Sequence, residues 1–90
     1  MRRSGLAAAA ALMGLAACGP IDPSPECAAW SRCIAARDTQ LGVETDNVRF
    51  ESGGGCWNSA EGAELCTTAC ESGLDWMRQA YDDLPDACLP

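Results

Sequence analysis

Ninety residues with 13 Asp and Glu, six Arg, no Lys and no His give a formal charge of −7. So acidic a chain is a poor match for nucleic acid or an anionic membrane surface, both of which reward basic patches. The absence of histidine removes Ser–His and Cys–His catalysis and histidine-ligated metal sites, and seven cysteines in so short a chain direct attention to disulfides.

The chain opens Met1-Arg2-Arg3-Ser4-Gly5, and the twelve residues from Leu6 to Ala17 follow without a charge. As a helix that run spans about 18 Å, against a hydrocarbon core of about 30 Å. It is too short for a comfortable membrane span. A charged start, a short apolar run and small residues before a cut site make a secretory signal. The Arg2-Arg3 pair lacks the rest of a twin-arginine motif, so ordinary Sec export is expected. Leu15-Ala16-Ala17-Cys18 resembles the lipobox of bacterial lipoproteins. The resemblance implies a signal peptide over 1–17, a diacylglyceryl group on the sulfur of Cys18, cleavage before that residue and acylation of the new amine. Several acyl chains anchor firmly where one is marginal, each buried CH₂ contributing about 0.8 kcal/mol. Gly19 stands where Asp signals inner-membrane retention, which turns the expectation towards the outer membrane.

Residues 18–90 would then carry 13 acids against Arg32, Arg37, Arg49 and Arg78, a formal charge of −9. Solubility is the expected account of this acidity, and an acidic recognition face is the alternative. Large apolar residues are few, and one apolar core below about 70–80 residues rarely supplies more than about 3–5 kcal/mol. Six cysteines (Cys27, Cys33, Cys56, Cys66, Cys70, Cys88) remain once the lipobox takes Cys18. Export makes disulfides their default state, at about 2–4 kcal/mol each.

Residues 18–25 read as a lipidated cysteine and a Pro-rich tether, and 26–90 as the folded domain. Ser24, Pro25 and Glu26 form a helix start: a capping hydroxyl, a proline at the first position and an acid at the positive end of the dipole. The first helix is expected over Pro25 to Asp38, with Cys27, Trp30 and Ile34 on one stripe and Cys33 at its flank. Residues 39–55 break the pattern. Val48-Arg49-Phe50 reads as a brief extended piece. Gly53-Gly54-Gly55 is a corner rather than a phosphate cradle, because no lysine and no strand accompany it. Asn58 and Glu61 have capping-box spacing, and a second helix is expected from there to about Ser72. It places Ala63, Leu65, Cys66, Ala69 and Cys70 on one face and Glu61, Glu64, Thr67, Thr68 and Glu71 on the other. Gly73 followed by Leu74 fits a helix stop. A further run, Asp75 to Leu84, places Trp76, Met77, Ala80, Tyr81 and Leu84 together, and Pro85 ends it. One continuous helix from Asn58 to Leu84 is the alternative, since a lone glycine costs only about 1 kcal/mol.

An antiparallel hairpin of the two helices brings Cys27 level with Cys70 and Cys33 level with Cys66. Cys56 and Cys88 are left. A break at Gly73 folds the chain back towards Cys56. A continuous helix separates the two by roughly 40 Å, far beyond the Cα separation of about 7 Å that a disulfide tolerates. The expected set is therefore Cys27–Cys70, Cys33–Cys66 and Cys56–Cys88, with a break at Gly73. The continuous helix would instead send Cys88 elsewhere, for instance to Cys27.

Little chemistry accompanies this frame. Cys66-Thr67-Thr68-Ala69-Cys70 is a CxxxC, not the CxxC of thioredoxin-like enzymes, and structural disulfides are the expected role. Four thiolates could hold zinc, but an oxidising compartment argues for bridges. Asp82, Asp83 and Asp86 lack the glycine and ligand spacing of a calcium loop. Glu61 and Glu64 sit on a polar face beside no evident pocket. Trp57 and Trp76 are expected in the core of a chain this poor in apolar residues, with carbohydrate or partner binding as the alternative.

The string from Gly53 to Cys88 resembles the small cysteine-rich lipoproteins of myxobacteria and related bacteria. In those, Gly-x-Cys-Trp precedes Ala-x-x-Cys-x-x-x-Cys and a final Pro-x-x-Cys. Here these are Gly54 to Trp57, Ala63 to Cys70 and Pro85 to Cys88, and Cys27 to Cys33 matches the first cysteine pair. The resemblance implies anchoring and disulfides and adds no activity. The reading is an all-α domain, a small disulfide-stapled helical hairpin or three-helix unit after an N-terminal signal helix. No cofactor, metal or catalytic residue is expected. The bilayer is the partner through acylated Cys18, with an envelope protein as a further one, in the cell envelope at the outer membrane. The expected role is a structural or interaction module. The alternatives are an envelope thiol–disulfide protein or a binder of a secreted ligand or protein.

Overall fold

The structure, a computed structural model, describes residues 21–90. The expected signal peptide, the lipobox-like motif and Cys18 lie outside the described residues. The domain is all-helical and stapled by three disulfides, as composition and periodicity predict. Helix α1 covers Pro25–Leu41 and helix α2 covers Ala60–Ala80, with single 3-10 turns at Val48–Phe50, Gly55–Asn58 and Asp86–Cys88.

Ser24 caps α1 as its sequence indicates, its hydroxyl accepting from the Cys27 N–H, and Pro25 opens the first turn. The helix continues past Asp38 to Leu41. Gly42 stops it at φ 69°, a left-handed conformation that costs glycine nothing. The N–H groups of Gly42 and Val43 both donate to the Asp38 carbonyl. The Asp38 carboxylate then accepts from the backbone N–H and the hydroxyl of Thr45, at 2.8 and 2.7 Å. One residue therefore closes the helix end and starts the crossover.

The two helices run in the same direction, not antiparallel. Ser24 meets Thr67, Cys27 meets Cys70, Trp30 meets Gly73 and Gln40 meets the carbonyl of Asp83. Each partner lies about as far along the second half of the chain as its mate lies along the first. Residues 42–59 must therefore carry the chain back along the length of α1, and side chains fix that return step by step. Asn47 bridges Trp30 and Ser31, Phe50 joins the cluster around Cys27, and the Trp57 carbonyl accepts from the Ile21 N–H. Val48-Arg49-Phe50 is a 3-10 turn on this path rather than an extended piece, and it delivers Phe50 into the core. Helix α2 is capped by Ser59, whose hydroxyl accepts from the Gly62 N–H. The cap thus falls one residue beyond the Asn58 start that the Asn58–Glu61 spacing suggests.

No break occurs at Gly73, and the expected stop is corrected. The residue sits inside α2, and a Cβ placed on it would lie 2.8 Å from Cζ3 of Trp30. The glycine is there to let an indole approach the helix, and packing outweighs its cost of about 1 kcal/mol. Beyond Ala80 the chain turns back along α1. The Asp83 carbonyl is held by Gln40, and Cys88 reaches Cys33.

The core consists of two clusters. One gathers Cys27, Phe50, Cys56, Trp57 and Cys70, and the other Cys33, Ile34, Leu74, Met77 and Cys88. Trp30 packs against both. All three disulfides and both clusters lie within residues 21–90, so this segment carries its own core. Among the described residues, no helix is long and apolar enough to cross a membrane.

Candidate functional site

The six cysteines of the described residues are the first candidates. Cys27–Cys70 forms as expected. Cys33–Cys66 and Cys56–Cys88 do not form; the structure joins Cys33 to Cys88 and Cys56 to Cys66. The parallel helices are the physical reason. They pair residues at a near-constant offset, which places Cys33 level with the Trp76 region of α2, where there is no thiol. Cys33 is left for the returning tail. Cys56 lies beside Cys66, and Cys88 lies beside Cys33 at the level of Trp76; ten residues of α2 separate those levels, about 15 Å, which no disulfide spans. Cys56 takes the near partner, ten residues on.

This arrangement divides the CxxxC segment between two bridges. Cys66 is joined to Cys56 and Cys70 to Cys27, so the motif is not a dithiol pair of its own. The two bridges are neighbours, with the Cys27 sulfur 3.2 Å from the Cys66 carbonyl oxygen. Cys27, Cys33, Cys56, Cys70 and Cys88 are buried, whereas Cys66 is half-buried. A sulfur out of water is shielded from attack by a thiolate, which suits structural bridges.

The tryptophans divide. Trp57 is 1% exposed, as expected for a core residue, and its indole N–H donates to the Phe50 carbonyl at 3.1 Å. Trp76 is 57% exposed, against expectation, and so is Leu65 at 73%. Trp30 is half-buried and oriented by its N–H, which donates to Asn47 Oδ1 at 2.9 Å. The Asn47 amide in turn donates to the Ser31 hydroxyl at 2.9 Å. Asn47 was invisible as a key residue in the sequence, because a lone Asn in an irregular segment looks like any turn former.

Asp82, Asp83 and Asp86 do not converge on a common point. The Asp83 carboxylate pairs with Arg37 at 3.3 Å, and its carbonyl accepts from Gln40 at 2.7 Å. Arg37 is buried. Its guanidinium donates to Gln40 Oε1 at 2.6 Å and lies over the Tyr81 ring, 4.7 Å from the centroid. Tyr81 stands edge-on to Trp76, with centroids 5.7 Å apart. Nothing in the sequence marked this chain of contacts beyond the position of Arg37 on α1. Among the described residues, no three His, Cys, Asp or Glu side chains are grouped to hold a metal ion. Glu61 and Glu64 are exposed on the outside of α2.

Two shallow clefts flank the Phe50 turn. One, of about 420 Å³, is lined by Asp46, Val48, Arg49, Phe50 and Gly55. The other, of about 290 Å³, is lined by Pro23, Ala28, Ser31, Arg32, Phe50, Glu51 and Ser52. Both are open, and neither pairs a nucleophile with a base. The outside of α2 differs from both clefts: Leu65, Ala69, Ser72 and Trp76, all exposed, follow helical spacing along it. No protein-family model matches the chain, and no curated protein or solved structure is significantly similar to it.

Proposed function

We propose that the chain is a lipoprotein of the bacterial envelope, anchored through acylated Cys18, whose helical domain is a non-enzymatic interaction or structural module. The observation that carries this reading is the division of the seven cysteines. Six are spent in pairs on three bridges, and the seventh, Cys18, closes the Leu15-Ala16-Ala17-Cys18 motif behind a charged start and a short apolar run. Disulfides of this density belong to oxidising compartments, and a signal of this length leads there. Burial of five of the six sulfurs supports a structural role over thiol–disulfide catalysis. The likeness to myxobacterial cysteine-rich lipoproteins adds a class and no activity.

Intact mass of the protein extracted from membranes, before and after reduction, tests the proposal. The expected species begins at Cys18, carries one diacylglyceryl and one acyl group, and gains six hydrogens on reduction, two for each of the three bridges. Retention of residues 1–17, or six free thiols in the native protein, overturns it.

A further inference from the structure

We propose that the outer strip of α2, formed by Leu65, Ala69, Ser72 and Trp76, is a docking surface for a cationic amphipathic helix of another envelope protein. This rests on the reading of the domain as an interaction module and names the chemistry of its partner. At 100° per residue these four positions fall within an arc of about 60° and extend about 16 Å, three turns of helix. The strip is largely open, with Tyr81 standing edge-on to Trp76 at its end, ring centroids 5.7 Å apart. Leu65 is 73% and Trp76 57% exposed. Other large apolar residues are exposed as well, Leu41, Val43, Val48 and Leu89 among them, but Leu65 and Trp76 share one face of a regular helix. An exposed aliphatic and an exposed aromatic about three turns apart on one helix face are the kind of anchors that recognition between amphipathic helices uses.

Charge selects the occupant. Glu61, Glu64, Glu71 and Asp75 lie along one flank of the strip, all exposed. No Lys or Arg occurs between Ala60 and Met77. The arginines nearest the end of α2 are engaged: Arg78 donates to the Cys88 carbonyl at 2.7 Å, and Arg37 is held by Asp83 and Gln40. An acidic flank beside an apolar strip is complementary to a helix with an apolar face and Lys or Arg beside it. A second copy would bring the same acids against these, and residues 18–90 carry a formal charge of −9. An anionic bilayer surface is repelled on the same ground.

Residues 21–90, oxidised and free of any lipid, are titrated against a fluorescent peptide of about 14 residues, four turns, with Leu on one face and Lys on the rest. The expected result is saturable binding, with a scrambled isomer of the same composition bound about tenfold more weakly. Leu65→Ser with Trp76→Ser is expected to lower affinity for the helical peptide about tenfold or more. That variant should still gain six hydrogens on reduction, two for each of the three bridges, and its far-ultraviolet circular dichroism should stay unchanged. Glu64→Gln with Glu71→Gln and Asp75→Asn should weaken binding and flatten its salt dependence. Equal binding of the scrambled peptide, equal binding by the serine variant, or a homodimer that Trp76→Ser dissolves would overturn the proposal. Because this fragment lacks Cys18, these outcomes are independent of the anchor, which the mass measurement judges separately.

Discussion

Around Trp57 the core is closed by the crossover between the helices; around Leu74 and Met77 it is closed by the returning tail. The first cluster holds the large buried aromatic side chains and touches two cystines, Cys27–Cys70 and Cys56–Cys66. The second is aliphatic and holds one, Cys33–Cys88. The crossover is tied to α1 at several heights, through Thr45, Asn47 and Phe50. The tail is tied by Gln40 and Arg37 at Asp83, by Arg78 at the Cys88 carbonyl, and by its cystine. The first cluster therefore depends on packing, and the second on a covalent link that keeps a short segment in place.

Truncating Trp57 to alanine tests the first half of that contrast. Loss of a buried tryptophan costs about 3–5 kcal/mol, and the Phe50 carbonyl also loses its donor. In a domain of this size the loss rivals what the apolar core supplies, so urea denaturation of oxidised Trp57→Ala should show a much lower midpoint than the parent. A native-like midpoint would mean that the cystines alone organise the cluster. The second half is tested by removing cystines as alanine pairs. Chain entropy assigns about 4 kcal/mol to Cys33–Cys88, which closes a loop of 55 residues, and about 3 kcal/mol to Cys56–Cys66, which closes one of ten. The sharper difference is local. Without Cys33–Cys88, hydrogen exchange should lose protection at the Cys88 and Leu89 amides first, with α2 from Met77 onward following. Without Cys56–Cys66, Trp57 should keep the crossover in place. Equal loss of protection across both clusters would erase the distinction between them.

Residue patterns made some of this legible. The Ser24-Pro25-Glu26 start, the helical period of both long elements and the structural role of the six sulfurs follow from local chemistry, and the structure contains them. Direction did not follow. An antiparallel hairpin and a parallel pair with a crossover both bring Cys27 to Cys70, because those residues lie near the level where the two arrangements coincide. They disagree for Cys33, and there the hairpin assignment failed. The signal that separates them was present: residues 42–59 are long for a helix–helix connection, which typically takes about 2–8 residues, and such a length suits a return along a helix. The exposure of Leu65 and Trp76 was not legible. A helical stripe shows which residues share a face but not how many neighbours cover it, and here α1 covers only part of the apolar arc of α2.

The smallest expected effect lies at the seam, where Trp30 joins the two clusters against Gly73. Gly73→Ala gains about 1 kcal/mol of helix propensity and meets an indole that cannot easily move, because its N–H is held by Asn47. Overpacking of this kind costs about 1–3 kcal/mol, so a net loss of about 1 kcal/mol is expected in urea denaturation. The sign should reverse in a Trp30→Ala background. With the ring gone the three atoms nearest the added methyl are gone, and the propensity term dominates, so Gly73→Ala becomes stabilising by about 1 kcal/mol there. If Gly73 instead ended a helix in a left-handed conformation, alanine would be unfavourable with or without Trp30. A sign that stays negative in both backgrounds would thus break the single helix that links the crossover-closed cluster to the tail-closed one, and a sign that reverses would tie both clusters to one rigid element.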